Sequence, residues 1–250
     1  MIHLNMTGWI LVIFCAIMTG FSKAGIMGAG AVVAPILASI MPARESTGFL
    51  LPMLIIGDLT ATIYWRRHAK WSKLAGLIPW TLIGVILGWL WLGKISDRHL
   101  MAVIGAIVLI LVVLHQWQQR RPDFTEHIPH SRWFASIMGI LAGATSMLAN
   151  AAGPILVIYL LAMKLEKSSF IGTAAIFFLI LNVSKMPFSA NLDLVTKSSL
   201  LSNLAAAPFI IIGAILGIVA VQRIPQRFFD RIMQCATAAM AVYLCVKAMF

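Results

Sequence analysis

Phe134 to Met163 reads FASIMGILAGATSMLANAAGPILVIYLLAM, thirty residues without one charge, broken past its middle by Asn150-Ala-Ala-Gly153-Pro154. Apolar side chains fall on every face, which excludes both the alternation of a membrane β-barrel strand and the one-sided pattern of a helix on a soluble core. About 20 residues of helix cross the hydrocarbon of a bilayer, so this stretch is too long for one plain crossing. It reads as two half-helices joined by an unwound tip.

The same design occurs near the other end of the chain. Residues 7–41 form a second overlong apolar stretch, broken at Lys23-Ala-Gly25-Ile-Met-Gly28-Ala-Gly30. Around these two lie further apolar segments near 47–65, 74–93, 99–117, 169–190, 198–221 and 232–249, eight in all. The 250 residues are 61% hydrophobic and 11% charged, with a mean hydropathy of +0.95, far from the composition of a water-soluble domain. The fold class is therefore all-α, a polytopic integral membrane protein, since helices satisfy their backbone polar groups internally in lipid. The first segment is expected to be retained: no Lys or Arg precedes Lys23, and the apolar run outlasts a cleavable signal.

Internal similarity orders the segments. An offset of 119 aligns Gly20, Pro35, Ile36 and Leu37 with Gly139, Pro154, Ile155 and Leu156; an offset of 129 aligns Pro79, Gly84, Gly88 and Arg98 with Pro208, Gly213, Gly217 and Arg227. Two four-segment repeats follow, residues 1–118 and 133–250, with a polar linker at 119–132. The GxxxG pairs Gly84/Gly88 and Gly213/Gly217 fall at the same place in each repeat and predict close helix packing.

Charge placement bears on topology. If all eight segments cross, Lys and Arg in the loops divide nine against eight. If segments 1 and 5 are re-entrant, Arg66, Arg67, Lys70, Lys73, Arg120, Arg121, Arg132, Lys164, Lys167, Arg223, Arg227 and Arg231 share one side, and Arg44, Lys94, Arg98, Lys197 and Lys247 the other. Twelve against five satisfies the positive-inside rule, and three crossings per repeat make the halves inverted, with the linker cytoplasmic and both termini outside. The net charge of +11 is thus membrane patterning, and no nucleic-acid partner is expected. Cys15, Cys235 and Cys245 form no CxxC pair, so they indicate neither a metal nor a redox centre.

Ionisable groups inside the bilayer cost about 2.5–3.5 kcal/mol each to insert and mark functional candidates. Three stand in apolar segments: Lys23, Asp58 and Lys185. Lys185, beside Asn182, offers an anion a charge and an amide; the alternative is an internal ion pair with Asp58. Lys23 meets an anion at the tip of segment 1 or snorkels to water. Asp58 neutralises a lysine, carries a proton, or simply pairs. The broken segments add helix N-termini near Gly28 and Gly153, whose free N–H groups favour anions. Thr145, Ser146 and Asn150 supply further donors. Gly25, Gly28, Gly30 and Gly153 let backbone approach a ligand, or serve packing alone.

These motifs carry a family resemblance. GFSKAGIMGAGAVVAPIL at 20–37, GILAGATSMLANAAGPIL at 139–156 and GTAAIFFLILNVSKMPFS at 172–189 resemble the paired signatures and the Asn-x-x-Lys feature of the sulfite exporter TauE/SafE family. The resemblance covers nearly the whole chain, although Ala29 interrupts a glycine run usually richer in that family. It implies a multi-pass protein of a bacterial inner membrane that exports sulfite or a small organosulfonate. The expected partners are that small anion and the lipid bilayer, with homodimer formation left open, and no cofactor is expected. An anion channel and a non-transporting assembly factor remain as alternatives. With no HExxH, GxSxG or Cys/His cluster, enzymatic activity is not expected.

Overall fold

The computed structural model describes residues 6–25, 29–120, 132–163, 165–223 and 226–249. The helices are α1 (Met6–Ala24), α2 (Val33–Ile40), α3 (Ala43–Trp65), α4 (Trp71–Leu74), α5 (Ile78–Leu92), α6 (Asp97–Arg120), α7 (Arg132–Ala149), α8 (Gly153–Ala162), α9 (Lys167–Asn191), α10 (Lys197–Arg223) and α11 (Gln226–Met249). Short 3-10 turns at Ala29–Val32 and Arg66–His68 precede α2 and follow α3. Most of the 119–132 linker lies outside the described residues.

Among the described residues, six helical stretches are long and apolar enough to cross a membrane: Met6–Ala24, Ala43–His68, Asp97–Leu114, Arg132–Ala149, Lys167–Asn191 and Lys197–Ala220. Of the eight apolar segments read from the sequence, the third and the last fall short of that length. Helix α5 has 15 residues, about 22 Å at 1.5 Å per residue, because Pro79 sets its start and Gly93 follows its last turn. The apolar part of α11, Thr237–Met249, is shorter still.

Both overlong segments are interrupted where the glycines, Asn150 and Pro154 stand. The two arms of each segment differ in length: the first arms, α1 and α7, have 19 and 18 residues, while the second arms, α2 and α8, have only 8 and 10. The reason is local. Helix α1 runs on until Gly25 closes its last turn onto the Phe21 carbonyl, and α7 until Asn150 adopts a left-handed φ of 52°. Pro154 then sits in the first turn of α8, where its missing N–H costs nothing. The second arm of segment 1 does not begin as an α-helix near Gly28, which lies outside the described residues. It opens with the 3-10 turn, where Gly30 presses on the Ser22 side chain.

Helix packing follows the small residues. The most extensive contacts join α1 to α10, α5 to α7, α6 to α11 and α3 to α9. A β-carbon on Gly20 would lie 1.9 Å from the Ile210 carbonyl oxygen, and one on Gly213 2.1 Å from that of Ile17. In the other pair, a β-carbon on Gly84 would lie 2.2 Å from the Ile140 oxygen, and one on Gly143 2.1 Å from that of Thr81. Both GxxxG motifs are thus helix crossings where backbone touches backbone, as small-residue packing requires. Contacts advance in step along each pair, Ile17 to Gly213 then Phe21 to Gly217, and Ile140 to Gly84 then Met147 to Gly88. Each pair is therefore parallel.

Loop contacts define two ends of the bundle. At one, the backbone N–H of Arg44 donates to Asp97 (2.9 Å), Arg98 donates to the carbonyls of Ala248 (2.6 Å) and Met249, and Lys247 donates to that of Ser39 (3.2 Å). At the other, the N–H of Lys70 donates to Thr173 Oγ1 (2.9 Å), the Tyr159 hydroxyl donates to the Lys73 carbonyl (2.7 Å), and Phe134 stacks on Tyr159.

Candidate functional site

Helix α9 presents Phe178, Asn182 and Lys185 at spacings of four and three, a single face of a helix. That face meets α3 at Asp58 and α7 at Ser146 and Asn150, residues one turn apart. Asp58 is 0% exposed, Lys185 and Asn182 1% and Ser146 3%, so every polar atom here needs a partner inside the protein.

Lys185 Nζ lies 2.6 Å from Asn150 Oδ1, 3.0 Å from the Ser146 carbonyl oxygen, 3.0 Å from Ser146 Oγ and 3.2 Å from Asn182 Oδ1. The two amide orientations are determined by their opposite ends. Asn182 Nδ2 donates to Asp58 Oδ2 (2.6 Å), and Asn150 Nδ2 donates to the Thr47 carbonyl (3.2 Å). Three of the atoms facing Nζ are then carbonyl oxygens, which only accept. An ammonium at Lys185 can give one proton to each of them, the Ser146 carbonyl also accepting the backbone N–H of Asn150 at 3.0 Å.

The second lysine belongs to a different contact. Lys23, at the end of α1, forms an ion pair with Asp58 (Nζ to Oδ1, 2.9 Å) and sits 3.8 Å from the centroid of the Phe178 ring, a cation–π arrangement. Gly57 makes room for its stem: a β-carbon there would stand 3.2 Å from Lys23 Cγ. The end of α1 is tied to α3 by Trp65 Nε1, which donates to the Ala24 carbonyl at 3.0 Å.

The residues expected from the sequence therefore separate. Lys185, Asn182, Asn150 and Ser146 form one cluster, and Asn182 links it to Lys23 and Asp58. The direct partner of Asp58 is Lys23, whereas Lys185 reaches that carboxylate only through the Asn182 amide. Thr145 stays on its own helix, donating to the Leu141 carbonyl at 2.7 Å. Gly25 abuts Gly217, and Gly30 abuts Ser22. At Gly153 there is nothing within 4 Å of a β-carbon, and no side chain caps the start of α8. Phe178 was missed, although its place two turns before Lys185 was visible as a helical spacing. The Thr47 carbonyl was missed too, and backbone acceptors leave no mark in a sequence.

Two open grooves of about 490 and 440 Å³ flank the end of α3, and Arg66 and Arg67 line both. Thr62, Ile176 and Ile180 wall one; Thr60, Tyr64 and Ile218 wall the other. Among the described residues no group of three or more His, Cys, Asp or Glu side chains is placed to hold a metal.

Neither a curated protein nor a solved structure gives a match to this chain. The family described as Sulfite exporter TauE/SafE does, over residues 12–244, a span that takes in both helix breaks and the whole of the lysine cluster. The chain is a multi-pass membrane protein of the TauE/SafE sulfite exporter family, a family of transporters.

Proposed function

We propose that the protein exports a small oxyanion, sulfite or a small organosulfonate, across the cytoplasmic membrane by alternating access, with Lys185 as the anion's seat. The observation that carries this reading is the buried ammonium of Lys185 held at the break between α7 and α8. Its protons are already spent on protein oxygens, so an anion binds by displacing one of them. Asn150 is the partner suited to leave. It stands at the break, with a backbone φ of 52° that costs an asparagine little, and its move is a movement of the α7–α8 tip. Arg66 and Arg67, at the mouths of the two grooves, collect anions on the basic side.

Inverted repeats fit the packing. The pairs α1 with α10 and α7 with α5 exchange when the halves are exchanged, while α3 with α9 and α6 with α11 map onto themselves. The Tyr159 hydroxyl and the Phe134–Tyr159 stack bring the outer ends of α7 and α8 to one end of the bundle, as a re-entrant hairpin requires. Inverted repeats with broken helices are a recurring transporter plan, with substrate near the midplane. Export then needs no coupling ion, because the membrane potential supplies about 2.3 kcal/mol per charge per 100 mV and a negative interior expels anions.

Reconstituted protein is expected to give saturable sulfite or sulfonate efflux from proteoliposomes. Fast flux that never saturates would make it a channel, and no flux with any anion would leave the assembly-factor reading. Topology has its own test. With Cys15, Cys235 and Cys245 replaced by serine, a single cysteine placed in the 118–132 linker or at Lys70 is expected to react from the cytoplasmic side, and one at Lys94 from outside. Labelling of the linker from outside would overturn the inverted arrangement.

A further inference from the structure

The structure assigns this site a monoanion: its buried charges leave one positive charge without a counter-charge, and the substrate supplies a single negative one. This rests on the proposed transport reading and narrows it to a charge class. The ammonium form of Lys185 fits the three carbonyl oxygens around it, which can only accept. Lys23 is cationic too, for it faces both a carboxylate oxygen and the π face of Phe178. Against these two cations stands Asp58. Among the described residues, Asp58 and Lys185 are the charged side chains that are buried, with Lys23 at 11%. Asp58 is already matched by Lys23, and the excess charge resides on Lys185.

An excess charge in a low-dielectric interior is costly to leave unmatched and strongly favours one opposite charge beside it. A monoanion at Lys185 brings the cluster to neutrality. A dianion of the same size overshoots and leaves a negative charge buried among carbonyl oxygens. Shape alone would not separate the two, so discrimination between isosteric anions of different charge reads the charge count directly.

Methanesulfonate and methylphosphonate are such a pair under alkaline conditions, where the first carries one charge and the second two. The expected result is that methanesulfonate inhibits efflux of ethanesulfonate, a monoanion at that pH, and stabilises the purified protein against heat, at a concentration at least about tenfold lower than methylphosphonate does. Changing the charge of the cluster should move the preference. Asp58→Asn leaves two excess positive charges and is expected to favour methylphosphonate; Lys23→Gln leaves none and is expected to weaken both anions. The double variant Lys23→Gln/Asp58→Asn again has one excess charge and is expected to prefer methanesulfonate, with more flux than either single variant. Equal potency of the two anions on the wild-type protein, or failure of both to compete while ethanesulfonate still moves, would overturn the assignment. An Asp58→Asn protein that folds and keeps the wild-type preference would overturn it as well. Absence of flux with every anion, while methanesulfonate still stabilises the protein selectively, would refute the transport reading and leave the monoanion site standing.

Discussion

Lys185→Ala is expected to abolish anion transport, or to raise the apparent substrate constant by roughly 10- to 100-fold. A hydrogen bond to a charged group contributes about 1.5–3 kcal/mol, and each 1.4 kcal/mol is about a factor of ten. The substitution also strips a proton donor from Asn150 Oδ1, Asn182 Oδ1 and the Ser146 carbonyl, so some loss of thermal stability accompanies it. Two measurements separate the effects: flux into proteoliposomes of matched protein content, and the melting temperature of the purified protein. Lys185→Arg serves as the partial case. It keeps the charge, but a planar guanidinium cannot direct its protons into the oxygens arranged around an ammonium, so its flux should fall between that of alanine and wild type. Wild-type transport by Lys185→Ala would make the residue structural and remove it from the site.

The second large effect belongs to Gly20, one helical turn before Lys23. In Gly20→Ala the new methyl group would stand 1.9 Å from the Ile210 carbonyl oxygen and 2.7 Å from the Ala214 nitrogen. Both are backbone atoms, so no side chain can swing aside; α1 and α10 have to separate along their most closely packed stretch. Overpacking typically costs about 1–3 kcal/mol, and a clash with backbone falls at the upper end. For a chain of this length each kcal/mol lowers Tm by roughly 2–4 °C, so a fall of about 10 °C is expected, with transport lost in proportion to unfolded protein. Gly143→Ala should behave alike, because its methyl group would meet the Thr81 oxygen at 2.1 Å in the α5–α7 crossing. Gly76→Ala is the control: nothing lies within 4 Å of a β-carbon there, and Tm should stay within about 2 °C. An unchanged melting temperature for Gly20→Ala would mean that the two helices do not touch as described.

Those glycines also show how far the sequence could be read. Gly84/Gly88 and Gly213/Gly217 were legible as packing motifs because small residues four apart line one face of a helix whatever it packs against. Their partners were not legible. Gly20 and Gly139 aligned with each other as equivalents, but one packs on α10 and the other on α5, in the opposite half of the chain in each case. Pairing across halves depends on how the helices are arranged, which no local pattern encodes.

The lysine cluster divides in the same way. Composition and segment length by themselves determined a helical membrane protein, because a run of apolar residues without charge has few other solutions. The positions of the helix breaks followed from Gly25, Asn150 and Pro154, whose backbone preferences are local. Lys23, Asp58 and Lys185 stood out because charge in an apolar stretch is costly wherever the stretch ends up. Only the tertiary structure decided that Asp58 pairs with Lys23, that the Asn182 amide reaches Asp58 from 124 positions away, and that Asn150, Ser146 and Asn182 surround Lys185. Direction and distance between side chains on four separate helices decide those contacts, and a sequence records a residue's chemistry but not which way its donors point.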